Sequence, residues 1–291
     1  MKRLLVFLCV IFSCCTINLF AQNYALVLSG GGGKGGYEVG VWKALNEYGI
    51  AQKVSVISGT SVGGLNAGLF AVAPMDRIED IWLNQVPSEL NQDGEAISQK
   101  GLMNIMNRLS FYAFNEKNVP DVYVTCCHSW KDGVGGLLDV GVQIAKAATK
   151  SVFDYAYRFR LNDEESQDEI RKKMLATSAY PALTDPVRLS DGKLYCDGGA
   201  ADNTPVEPVI KYQPDIIIAV HLSAWSPKLQ KGKWPGYTVI DIVPSDEMRW
   251  IGGMLDFSRE WTVRNIQLGY DDTVKWLKGL GMHPVEDYWF Q

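Results

Sequence analysis

Residues 55–66 read Ser55-Val56-Ile57-Ser58-Gly59-Thr60-Ser61-Val62-Gly63-Gly64-Leu65-Asn66, and the way this stretch has to turn decides the fold. Val54 to Ser58 is an apolar run that reads as a strand, and Val62 to Phe70 reads as a helix. Between them the chain has the spacing G-x-S-x-G. A serine at a sharp strand-to-helix turn has a crowded backbone, and glycines two residues to either side, Gly59 and Gly63, relieve the crowding. The turn exposes the hydroxyl at the top of a sheet. The following helix aims its positive end at that hydroxyl, where negative charge develops during acyl transfer. Ser61 is therefore the candidate nucleophile. An ordinary Gly/Ser turn accounts equally well for the pentapeptide in isolation, so its neighbours carry the decision.

Upstream, the apolar run Tyr24 to Leu28 reads as the first strand, and Gly36 to Tyr48 as a helix with Val39, Trp42, Ala44 and Leu45 inward. The loop joining them contains Gly30, Gly31, Gly32, Gly33, Lys34, Gly35 and Gly36. Such a loop lets several backbone N–H groups converge on one anionic atom. A phosphate-binding P-loop needs a glycine where this chain has Leu28 and a Ser or Thr where it has Gly35, so that reading fails twice. Gly30, Gly32 and Gly35 do satisfy the dinucleotide spacing G-x-G-x-x-G. That fingerprint also requires an acid at the end of the second strand, where Val56-Ile57-Ser58-Gly59 has none. With the serine turn in that place instead, the loop from Gly30 to Gly35 reads as an oxyanion hole.

Downstream, Lys193-Leu194-Tyr195-Cys196-Asp197-Gly198-Gly199 puts a carboxylate at the end of a short strand. A serine hydrolase with a triad needs a histidine, and the chain offers His128, His221 and His283. His221, closing a strand, is the best of these, though none has a motif around it. The alternative is direct transfer of the serine proton to Asp197.

The order LSGGGGKGGYEVGV, GTSVGG, DGGAADNTPV resembles the patatin-like phospholipase family, over roughly Tyr24 to Gly269. The resemblance implies an α/β/α sandwich with a mostly parallel central sheet, a Ser61–Asp197 dyad, an oxyanion hole from Gly30 to Gly35, and no cofactor. Lys34 stands where family members have Arg or Lys, and Gly33 where Ala or Ile is frequent. Gly198 and Gly199 complete the D-G-G motif, Asn203 and Pro205 fit its continuation, and Tyr180-Pro181-Ala182 is similar to the A-x-P turn before that strand. The implied activity is hydrolysis of phospholipid or other acyl-lipid esters, with transient contact at a membrane surface. A catalytically silent lipid-binding module is the alternative.

The rest of the chain fits one catalytic domain, residues 22–291. Met1-Lys2-Arg3, an apolar stretch and Ala21 read as a signal peptide over residues 1–21, so export to the periplasm or outside the cell is expected. The net charge of −5, with no basic stripe, argues against a nucleic-acid partner. Cys126, Cys127 and Cys196 remain beyond the leader, too few for a disulfide scaffold, so a hydrophobic core has to hold the domain. Alternating strand-like and helix-like segments continue, with strands at 119–127, 155–161, 216–221 and 238–242 and helices at 164–176 and 257–269. Metal motifs of the H-E-x-x-H or EF-hand type are missing. Lys131 to Ser151 reads as an inserted buried helix, with a hinged lid or membrane-contacting flap as the alternative, and the tail beyond Asp272 is unassigned.

Overall fold

The computed structural model describes residues 23–90, 97–115, 119–129, 156–181, 183–224, 226 and 234–285. Residues 1–21, read above as a signal peptide, the segment 131–151 and Ala182 therefore lie outside the described residues. β1 (Tyr24–Leu28) is buried at every position, as a strand covered on both faces must be. The other strands are β2 (Val54–Thr60), β3 (Asp121–Ser129), β4 (Tyr157–Arg160), β5 (Val187–Arg188), β6 (Leu194–Asp197), β7 (Ile216–Val220) and β8 (Thr238–Ile242). They form one sheet in the order β5-β6-β3-β2-β1-β7-β8, with β4 beside β3. From β8 across to β3 the strands are parallel, while β4, β5 and β6 pair antiparallel. β3 divides its outer edge: residues 123–126 pair with β4, and residues 126–129 with β6.

Side chains alternate across β1, and the two faces meet different layers. Tyr24, Leu26 and Leu28 join the main core, which receives the inner faces of α1 (Gly36–Glu47), α2 (Val62–Val72), α3 (Gln99–Asn107), α4 (Gln167–Thr177) and α5 (Arg259–Gly279). Ala25 and Val27 face a thinner layer that includes Val206 and Val209, beside the short helix Glu207–Ile210. The architecture is an α/β/α sandwich with unequal layers.

Two boundaries differ from expectation in ways that bear on function. β2 continues through Thr60, so Ser61 leaves the sheet directly into α2. α5 begins at Arg259, where Ser258 accepts the Trp261 N–H as its cap, and it runs past Gly269 to Gly279. Buried Thr273 and Leu277 continue its inner face, so part of the unassigned tail belongs to the core.

α1 and α5 approach closely because glycines line their seam. A Cβ on Gly40 would lie 1.9 Å from the Ile266 carbonyl oxygen, and one on Gly269 would lie 2.0 Å from that of Tyr37. Gly40→Ala is therefore expected to lower stability by about 1–3 kcal/mol through overpacking. Gly279→Ala, at a position with nothing within 4 Å, is expected to be neutral or mildly stabilising. Denaturant midpoints of the two variants check this, and an equal effect from both would sink it.

Candidate active site

The ladder register brings Ser61 and Asp197 to one level. Thr60 pairs with Thr125 of β3, and the next β3 residue, Cys126, pairs with Asp197. Ser61 and Asp197 thus follow one rung later on opposite sides of β3. Asp197 descends on an antiparallel strand while Ser61 rises on a parallel one. Ser61 has φ 57° and ψ −128°, a conformation that costs a non-glycine residue about 1–3 kcal/mol. The turn is tight enough that a Cβ on Gly59 would lie 2.2 Å from the Gly63 carbonyl oxygen, which is the mechanical reason for the G-x-S-x-G spacing. The Ser61 N–H donates to Thr177 Oγ1 at 3.0 Å, and Thr177 Oγ1 donates to the Thr125 carbonyl at 2.5 Å.

Asp197 is 5 % exposed. Burial pushes its carboxyl up to about 6, against the opposing effects of the Ser61 hydroxyl and the Gly199 N–H as donors. The Gly199 N–H donates to Oδ1 at 2.7 Å. Oδ2 is buried and has no hydrogen bond of regular geometry. The serine hydroxyl is thus near enough to act on the carboxyl but is not aligned with it, a common condition before substrate binds. Gly198 allows the acid to come this close, since a Cβ there would lie 2.5 Å from the Thr125 carbonyl oxygen.

The glycine loop closes over the same place, and its six residues divide into three roles. Gly30 and Lys34 have committed amides: Gly30 N–H donates to the Asn203 carbonyl and Lys34 N–H to that of Gly31, each at 3.3 Å. Gly33 and Gly35 are packing positions, where a Cβ would meet the Asp256 carbonyl oxygen at 2.1 Å and Val62 Cγ2 at 2.4 Å. Gly31 caps and Gly32 opens the short helical turn Gly32–Gly35, at whose start N–H groups lack partners within the helix. Gly32 needs to be glycine twice over, with φ +58° and the Met254 carbonyl oxygen 2.2 Å from a would-be Cβ.

Lys34 is 3 % exposed, lines the polar side of the site, and has its pKa lowered by burial. Beneath the loop, Asn66 donates to the Gly35 carbonyl at 3.1 Å and to Glu38 Oε2 at 2.7 Å. Trp82 Nε1 donates to Asn66 Oδ1 at 2.9 Å, and burial pushes the Glu38 carboxyl well up.

The segment after Asp197 is stitched to the sheet. Thr60 Oγ1 donates to the Asp202 carbonyl at 2.7 Å, and Ser58 Oγ to that of Pro205 at 2.5 Å. Asn203 also donates through Nδ2 to the Gly30 carbonyl at 3.3 Å, locking the glycine loop to the acid's segment.

Two cavities meet at the serine. One, of about 240 Å³, is apolar and runs among Leu65, Leu69, Ile81, Met106, Met174 and Phe257. The other, of about 370 Å³, is lined by Lys34, Asp197, Asn203, Ser223 and Ser226 among others. Ser61, Tyr180 and Met254 line both. None of the histidines lines either one. His221 is buried with Nε2 2.7 Å from Asp241 Oδ1, and His128 packs beside Tyr195. The triad alternative thus has no histidine at the serine.

Sequence reasoning missed Thr177 and the apolar cavity. Thr177 bonds to a residue 116 positions away, and the cavity is assembled from six separated segments, so neither leaves a local signal.

A family model described as "Patatin-like phospholipase" matches residues 26–210. A lysophospholipase NTE1 of Cryptococcus neoformans var. neoformans serotype D is 27 % identical over 206 residues, 66 % of this chain and 11 % of that protein. The patatin-like phospholipase domain-containing protein ZK370.4 of Caenorhabditis elegans is 28 % identical over 197 residues, 65 % of this chain and 13 % of that one. The chain thus spans only about an eighth of the length of these curated relatives. Among solved structures, VipD from Legionella pneumophila gives a TM-score of 0.49 at 14 % identity, covering 89 % of this chain and 67 % of that one.

Proposed function

The chain belongs to the patatin-like phospholipase family, and from that premise we propose that it is a serine hydrolase cleaving carboxylic esters of acyl lipids, with Ser61 as nucleophile and Asp197 as base. The observation that carries this reading is the meeting of an apolar and a polar cavity at a serine whose hydroxyl neighbours a buried carboxyl. The apolar cavity suits an acyl chain and the polar one the alcohol part of the ester.

Asp197 takes the Ser61 proton as the oxygen attacks the acyl carbonyl, and the oxyanion forms against the Gly31 and Gly32 amides. Collapse expels the alcohol, which takes the proton from Asp197. Water, deprotonated by the same carboxylate, then releases the fatty acid and restores Ser61. A carboxyl raised to about 6 is a stronger base than a free one near 3.9 and is still ionised at neutral pH.

The test is exposure to a fluorophosphonate, with peptide mass spectrometry, alongside product analysis on a panel of defined phospholipids, lysophospholipids and neutral acyl esters. The expected result is one adduct, on Ser61, and free fatty acid from at least one lipid class. An unmodified Ser61 together with no released fatty acid would favour a silent lipid-binding module and end the proposal.

A further inference from the structure

We propose that Thr177 is a positioning residue for the dyad: the turn 177–179, at the C-terminal end of α4, holds the backbone of both Ser61 and Asp197 and so fixes the gap that the proton crosses. This rests on the dyad reading above.

Ser61 sits at positive φ, ahead of the first turn of α2. Its carbonyl starts that helix by accepting from the Gly64 and Leu65 N–H groups. Its own N–H lies outside the helical ladder and is taken by Thr177 Oγ1 at 3.0 Å. The same hydroxyl donates to Thr125 O at 2.5 Å, so one acceptor role and one donor role fix its rotor. Thr125 is the β3 residue level with Thr60 and directly precedes Cys126, the partner of Asp197.

Two residues beyond Thr177, the Ala179 carbonyl accepts the Asp197 N–H at 2.9 Å. One short turn therefore reaches the nucleophile through a side chain and the acid through the main chain. Thr177 is fully buried, and its Cγ2 lies 2.8 Å from where a Cβ on Gly64 would be, which leaves it no room to shift sideways. A dyad has no intervening imidazole to absorb an error of position. The tolerance on the serine–carboxyl distance is a fraction of the ~1 Å displacement that costs about 100-fold in rate.

Thr177 lines neither cavity, which separates its effect from substrate binding. In the full chain, Thr177→Val keeps the side-chain shape and removes the hydroxyl, whereas Thr177→Ser keeps the hydroxyl. On a soluble acyl ester, Thr177→Val is expected to lower kcat by about 10- to 100-fold with KM within about threefold. Thr177→Ser is expected to stay within about threefold of wild type.

A second readout does not depend on turnover. The Asp197 carboxyl, followed by carbon NMR titration, is expected to move upward from about 6 in Thr177→Val, because misplacement weakens the Ser61 donor. It should be unmoved in Thr177→Ser. Wild-type kcat with an unchanged carboxyl titration in Thr177→Val overturns the inference, whatever its melting temperature. A loss of tenfold or more in folded Thr177→Ser overturns it too, and this arm needs no folded valine variant. Wild-type protein that neither cleaves acyl esters nor reacts with a fluorophosphonate overturns the dyad reading instead, while the titration still decides the geometry.

Discussion

Ser61→Ala is expected to reduce acyl-ester hydrolysis by at least about 10³-fold, because it removes the atom that forms the covalent intermediate. The binding cavities and the glycine loop are untouched by the change. What remains is the modest acceleration that positioning and oxyanion contacts give an attacking water. The fold should survive, since the loss is a single hydroxyl at a half-buried position and the bond that ties Ser61 to Thr177 is made by its N–H. Alanine has no easier time than serine at φ 57°, so the strain of the turn stays. Circular dichroism and a thermal melt establish folding, and release of fatty acid is then measured on the lipid that the wild type cleaves best. Residual activity above about 1 % would remove Ser61 from the mechanism.

Asp197→Asn should also lose activity, but with stability gained. The carboxyl titrates near 6 in the folded chain, above its unfolded value near 3.9, because burial disfavours its charge. The folded state therefore binds this proton more tightly than the unfolded state does. The resulting destabilisation is complete above about pH 6, shrinks as pH falls through that value, and vanishes below about 4. At neutral pH it amounts to about 2–3 kcal/mol, from roughly two pKa units at 1.36 kcal/mol each.

Asparagine keeps an oxygen for the Gly199 N–H and carries no charge. Asp197→Asn should melt several degrees above wild type at pH 8 and level with it near pH 4, while hydrolysis falls by about 10³-fold or more. Wild-type activity should follow the ionised carboxylate, falling about tenfold per pH unit below 6. Equal melting of the two proteins at pH 8, or an acid limb below pH 5, would contradict the burial argument.

The first half of the fold was legible because its signals are local. Tyr24 to Leu28 is continuously apolar, the glycine loop follows it at once, and the serine turn is written within five residues. Ser61 and Asp197 could be named individually, each inside a motif. What the sequence could not carry was the direction of the acid's strand. β6 runs antiparallel because β5 and β6 form a hairpin of two very short strands, and two residues are too few to show a period.

The tail was illegible for another reason. Asp271, Asp272, Lys275 and Lys278 crowd the same turns as buried Thr273 and Leu277, diluting the apolar stripe of α5 below recognition. The loop glycines illustrate a third limit. Their spacing marks an anion cradle, but which amides stay uncommitted depends on Asn203, more than 170 residues away.

The change of partner along β3 has a consequence for how this architecture accommodates altered length. Neighbours trade places at Cys126, level with Ser61 and Asp197, and the chain leaves β3 at Ser129 to rejoin it at Tyr157. Additions or deletions between those points enter beyond the last rung and need not disturb the rung that matters. The level of Cys126 on β3, and not the length of chain between the two strands, sets where the serine and the acid meet.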